Sequence, residues 1–137
     1  MAHVLEHLPD PVAFLVELRT EFLSPGGWLL IEVPNLFTHD SFELAHMTSF
    51  SAHTLSQVLQ KSGFDVIASK QHGQPRSEIL PLYLTVLARP QEEHNLSYQV
   101  QPEKSVAQKR KIGIFIRRVL QKITPNKAWV PLPTGDN

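Results

Sequence analysis

The chain has 137 residues, 42% of them hydrophobic and 19% charged, a globular balance sufficient for one ordinary domain. It contains no cysteine, which excludes a disulfide framework and any thiolate metal site and leaves His, Asp and Glu as the available ligands. The net charge of zero conceals a division: residues 1–90 carry nine acidic and five basic side chains, whereas residues 91–137 carry four and eight.

The opening stretch, MAHVLEHLPDPV, places His3, Glu6 and His7 at i, i+3 and i+4, so a helical turn sets all three on one side. Asp10-Pro11 is a helix start, with a side-chain acceptor at the N-cap and proline at the first helical position. The spacing of Val12, Leu15, Leu18 and Phe22 predicts an inward face and a helix to about Leu23. Glu17, Arg19 and Glu21 mark its wet side, and Ser24-Pro25-Gly26-Gly27 ends it. Trp28 to Pro34, WLLIEVP, is apolar on both parities except at Glu32, as expected of a parallel strand covered on both faces.

After a long loop, Ser51 caps a second helix with Leu55, Val58 and Leu59 facing inward, and Gly63 closes it in the left-handed conformation. FDVIASK and LYLTVLAR are strand-like, and QHGQPRSEILP between them permits an antiparallel return. Residues 91–103 read as a polar, proline-punctuated linker. In the basic segment 104–123, Ile112, Phe115, Ile116, Val119 and Ile123 share one face, surrounded by Lys109, Arg110, Arg117, Arg118 and Lys122. The remainder to residue 137 holds three prolines beyond Lys122 in TPNKAWVPLP and is expected to be irregular.

These residues resemble the second half of a class I S-adenosylmethionine-dependent methyltransferase. The resemblance rests on HVLEHLPDPVAFLVELRTEFLSPGGWLLIEVPN followed by HMTSFSAHTLSQVLQKSGFDV and covers about residues 3–88. It implies an α/β fold: the C-terminal half of a Rossmann-like sheet with an antiparallel last strand, residues 1–90, carrying the basic amphipathic C-terminal helix as an appendage. In such sheets ligands bind at the carboxyl ends of the strands. The family's glycine-rich loop and ribose-binding carboxylate belong to its first half, and the six glycines here form no G-x-G-x-x-G turn. The chain is therefore expected to be a fragment, read from an internal methionine, or a natural half-domain. Without a fourth strand, one edge of the Trp28–Pro34 strand would lack a partner and Leu29, Leu30 and Ile31 would be uncovered.

The resemblance also implies site residues. The turn AHVLEHL would leave the fourth strand beside the cofactor, which makes His3, Val4 and His7 candidates to contact S-adenosylmethionine. His46 is a candidate substrate-pocket residue and general base; Asn35 follows the fifth strand, where the resemblance assigns it no role, so Pro34 ending the strand with Asn35 taking the turn is the preferred reading and a substrate-side position the second. Some small-RNA 2′-O-methyltransferases and ubiquinone-pathway O-methyltransferases resemble the opening with Glu-x-x-Glu-His plus a later His that bind a divalent metal. Here His3 stands in place of the first Glu. The expected state is an ordered rim with no assigned metal, and His3, Glu6, His7 and His46 are the residues available to ligate one. Such a donor set suits zinc, iron or manganese better than magnesium.

The expected function is methyl transfer from S-adenosylmethionine to an O, N or C acceptor, most simply a small molecule, by in-line displacement. The alternative is a non-catalytic methyltransferase-like remnant that complements a separate first half or acts as an interaction module. No apolar run reaches the roughly 20 residues that cross a bilayer, and no signal peptide is evident, so the default location is the cytoplasm. For segment 104–123 the order of readings is packing on the domain, then a membrane surface, then nucleic acid, for which Phe115 alone supplies an interleaved aromatic.

Overall fold

The computed structural model describes residues 1–24, 26–40, 44–92 and 98–131, so parts of the predicted Pro25 turn, the 91–103 linker and the 132–137 tail lie outside the described residues. After a 3₁₀ turn at Leu5–His7 come helix α1 (Pro11–Glu17), strand β1 (Leu29–Pro34) and helix α2 (Ala52–Lys61). Strands β2 (Phe64–His72) and β3 (Tyr83–Pro90) follow, then helices α3 (Val106–Ile123) and α4 (Pro125–Ala128).

The helix ends follow their local chemistry. Asp10 accepts a hydrogen bond from the Ala13 N–H, and Pro11 occupies the first helical position. Beyond α1 the chain winds on as a wider π turn, Leu18–Phe22, closed by the Leu23 N–H donating to the Leu18 carbonyl. More residues per turn rotate the following side chains off the inward face, so Phe22 lies 72% exposed instead of joining Leu15 in the core. Ser51 and Thr54 form a reciprocal capping box at the start of α2, and Gly63 takes φ 83° after its last residue.

The sheet order is β1-β3-β2, with β3 antiparallel to both neighbours, so the last strand of the chain is inserted between the two that precede it. Leu29, Ile31 and Val33 point into one core with Leu15, Leu55, Leu59 and Phe64, the layer covered by α1 and α2. The other face of β1 is not covered as expected of a doubly packed strand, and Leu30 is 55% exposed. Nor is the far edge of β1 bare. Ala2 bridges Glu32 in parallel, the Glu32 N–H donates to the Met1 carbonyl at 3.0 Å, and the His3 N–H donates to the Glu32 carbonyl at 2.9 Å. Three residues thus stand where a parallel neighbour belongs. Of the three residues expected to be uncovered, Leu29 and Ile31 are buried and Leu30 alone is exposed.

The C-terminal segment corrects two expectations. Pro125–Ala128 forms one helical turn within the stretch read as irregular, because Thr124 ends α3 and Pro125 restarts the chain at a position that tolerates its missing N–H. Ala128 and Leu120 then close a second small core over Leu80, Leu82 and Tyr83. Helix α3 docks by its polar side, with Arg117 its buried residue, and its apolar stripe faces outward. Gly113 makes this approach possible: a Cβ at that position would stand 2.1 Å from the Phe37 carbonyl oxygen.

Candidate functional site

Leu5, fully buried, pins the 3₁₀ turn into the main core and draws the adjacent Glu6 inward, where its side chain is 2% exposed. His3 precedes the turn in the left-handed region, at φ 52°, a conformation uncommon outside glycine. From the other side the loop after β1 returns to meet this turn. Asn35 pairs with Phe50 in a parallel bridge, the Thr48 N–H donates to the Glu6 carbonyl at 3.1 Å, and His7 Nδ1 lies 2.9 Å from the Ala45 carbonyl oxygen. The junction lies at the carboxyl end of β1.

These contacts bring Glu6, His7 and His46 together, with one ligand atom of each within 4.8 Å of the others. The His7 and His46 rings meet edge to face with centroids 4.8 Å apart, and His39 lies 6.0 Å from His46. A cavity of about 20 Å³ opens beside them, lined in part by Glu6, Pro34, His39, His46, Thr48 and Arg110. Burial holds the Arg110 guanidinium below its ordinary pKa, partly opposed by the Asp40 carboxylate.

Two features of this junction fit a cation. Both Glu6 carboxylate oxygens and the Thr48 hydroxyl are buried without a hydrogen-bond partner. A carbonyl oxygen can only accept, so the contact with Ala45 puts a proton on His7 Nδ1 and leaves Nε2, 3.9 Å from Glu6 Oε1, as the ring nitrogen on the carboxylate side. Metal-bound histidines characteristically donate their second N–H in this way.

The remaining candidates fall elsewhere. His3 does not share the three-residue centre: its Nδ1 lies 3.3 Å from Glu6 Oε1 and its Nε2 3.4 Å from Glu32 Oε1, so the ring stands between two carboxylates. Glu32 in turn lies 3.2 Å from His72 and accepts from the Thr85 hydroxyl at 3.0 Å. Val4 is exposed and accepts at its carbonyl from the His7 N–H. Asn35 is committed to the fold: its amide nitrogen donates to the Pro81 carbonyl at 2.9 Å and Gln71 at 3.3 Å, and its oxygen accepts from the Phe37 N–H. It borders a separate groove with Ser51, His53 and Gln101. Sequence reasoning missed His39, Thr48 and Arg110. The available signal was that His39 shares the loop of His46, seven residues before it, and Arg110 arrives from α3 through a tertiary contact.

A family model described as a methyltransferase domain matches residues 1–69, and the chain belongs to that family. A crystal structure of small RNA methyltransferase HEN1 is similar in fold, with a TM-score of 0.50 and 18% identity over 72% of this chain. The chain corresponds to 14% of the length of that structure. No curated protein sequence matches it.

Proposed function

We propose that this chain supplies the acceptor side of an S-adenosylmethionine-dependent methyltransferase, with a divalent cation held by Glu6, His7 and His46 and a hydroxyl-bearing acceptor. The observation that carries the reading is the buried Glu6 carboxylate, its oxygens without hydrogen-bond partners, facing two imidazoles in a methyltransferase-family chain. A bound divalent cation supplies a Lewis acid that polarises the acceptor oxygen and favours its deprotonated form. The chain's own residues set this up. Ala45 orients the His7 ring, Thr48 ties the His46 loop to the Glu6 turn, and Leu5 and Phe50 close the inner side against water. His3 stands on the far side of Glu6, its Nδ1 3.3 Å from Oε1 without forming a hydrogen bond. His46 lies at the rim and lines the small cavity, which has room for about one water molecule beside the proposed cation.

The sequence contains no glycine-rich turn for the methyl donor, so donor binding needs a first half, with His3, Val4 and His7 at its boundary. Calorimetric titration tests both parts. Manganese is expected to bind the chain alone, whereas S-adenosylmethionine is expected to bind only when a first half bearing the glycine-rich loop is supplied. Micromolar binding of S-adenosylmethionine to the chain alone would overturn the half-site reading, and failure of manganese or zinc to bind would overturn the metal centre.

A further inference from the structure

Helix α3 is 18 residues long, about 27 Å at 1.5 Å per residue, and is not used by the site except through Arg110. Its docked side is set by Arg110, which donates to the Leu36 carbonyl, by Gly113 against Phe37, and by Arg117, which donates to the Thr38 carbonyl at 2.8 Å. At helical spacing this fixes the opposite side as the outward one. There Ile112, Phe115, Ile116 and Ile123 are 60, 66, 47 and 70% exposed. Beside them Lys111, Arg118 and Lys122 are also exposed. Residues 104–123 contain seven Lys and Arg and no Asp or Glu. A surface groove runs along this flank, lined by Ala107, Arg110, Lys111, Ile114, Phe115 and Arg118.

We infer that the outward face of α3 is a docking surface for an anionic lipid bilayer. A continuous apolar stripe flanked by cations matches the boundary between acyl chains and acidic headgroups, where the side chains reach hydrocarbon and the ammonium and guanidinium groups meet phosphate and carboxylate. The charge selects this occupant. A second copy of the same face would set Lys111, Arg118 and Lys122 against the same three cations, and a nucleic acid would leave four aliphatic and aromatic side chains without an apolar partner. No helix among the described residues is long and apolar enough to cross a membrane, so the contact lies along the surface.

Flotation of the full chain with vesicles tests the inference. Binding is expected to vesicles of phosphatidylcholine with phosphatidylserine and to fall with added salt, and to be much weaker with phosphatidylcholine alone. Lys111→Glu with Arg118→Glu should lower partitioning at least about tenfold, since each cation near an anionic surface contributes roughly 1 kcal/mol. Phe115→Ser with Ile116→Ser should lower it comparably; these exposed positions leave the docked side intact, which an unchanged far-ultraviolet circular dichroism spectrum verifies. The inference is overturned by absence of vesicle binding, by equal binding to neutral vesicles, or by binding that either pair of substitutions leaves unchanged. Self-association abolished by Phe115→Ser with Ile116→Ser, or capture of single-stranded RNA, in a chain that ignores acidic vesicles would also overturn it and assign the face to those partners.

Discussion

Arg117 is the buried residue of α3, and its guanidinium reaches from there to the Thr38 carbonyl at 2.8 Å and to Asp40 at 3.1 Å. It also lies 5.4 Å from the Trp129 ring centroid, so one cation fastens α3 to the loop after β1 and touches the residue that follows α4. Arg117→Met removes a charged hydrogen bond and leaves a buried carbonyl short of a donor, at a cost of about 1.5–3 kcal/mol. Gly113→Ala should release the same helix by steric conflict with the Phe37 backbone. Urea unfolding together with limited proteolysis between residues 98 and 123 checks both; unchanged midpoints and cleavage would mean that α3 is not held by this side.

Glu6→Gln should separate stability from ligand binding. The wild-type carboxylate is buried without a hydrogen-bond partner, so neutralising it should leave the metal-free chain as stable or slightly more stable. Manganese affinity should nevertheless fall by at least about tenfold. Melting curves with and without manganese measure both; a variant that loses stability and keeps the metal shift would make Glu6 purely structural.

Asn35→Ala should act on folding. The substitution leaves the Phe37 N–H without its partner and takes one of two donors from the Pro81 carbonyl, which keeps the Thr38 hydroxyl at 2.5 Å, in a nearly solvent-free site, a loss of about 1–3 kcal/mol. Retained melting temperature with loss of acceptor binding would instead make Asn35 a substrate residue.

Glu103 carries a pH dependence. Hydrogen bonds from Lys109 at 2.6 Å and then from the Ser51 hydroxyl at 2.6 Å hold its carboxyl below the ordinary value of 4.5. Because the folded-state pKa is the lower one, its contribution is fully present above the unfolded-state value and disappears as pH falls through the folded-state value. The stability difference between wild type and Glu103→Gln should therefore be constant near neutrality and shrink below pH 4.5. Denaturant midpoints across that range decide it, and a difference that grows on acidification would contradict the sign.

Much of the fold was legible because its signals are local. Asp10-Pro11, the Ser51 cap, Gly63 and the three strands each sit within a residue or two of where backbone chemistry places them. The π turn after Glu17 was not, since nothing in LRTEF distinguishes five residues per hydrogen-bonded turn from four. The outward stripe of α3 also escaped: an amphipathic pattern says which side is apolar, and only tertiary contacts say which side is docked. At the site, Glu6 and His7 announce themselves by spacing, whereas His46 reaches them through backbone bonds at Ala45 and Thr48 that no periodicity records.

The insertion of β3 between its predecessors has a consequence for the order of assembly. Leu30 pairs with Leu87, so β1 has no long-strand partner until the end of the sheet has been synthesised, whereas β2 and β3 can close on each other over a short connection. Loop-closure entropy favours the β2–β3 hairpin as the earlier structure and makes docking of β1 a later step. The turn and loop that gather Glu6, His7 and His46 hang on β1 and mature with it. Pulse-labelling hydrogen exchange should protect the amides of β3 that face β2 before those of Ile31 and Val33, which makes the candidate centre later to form than the hairpin.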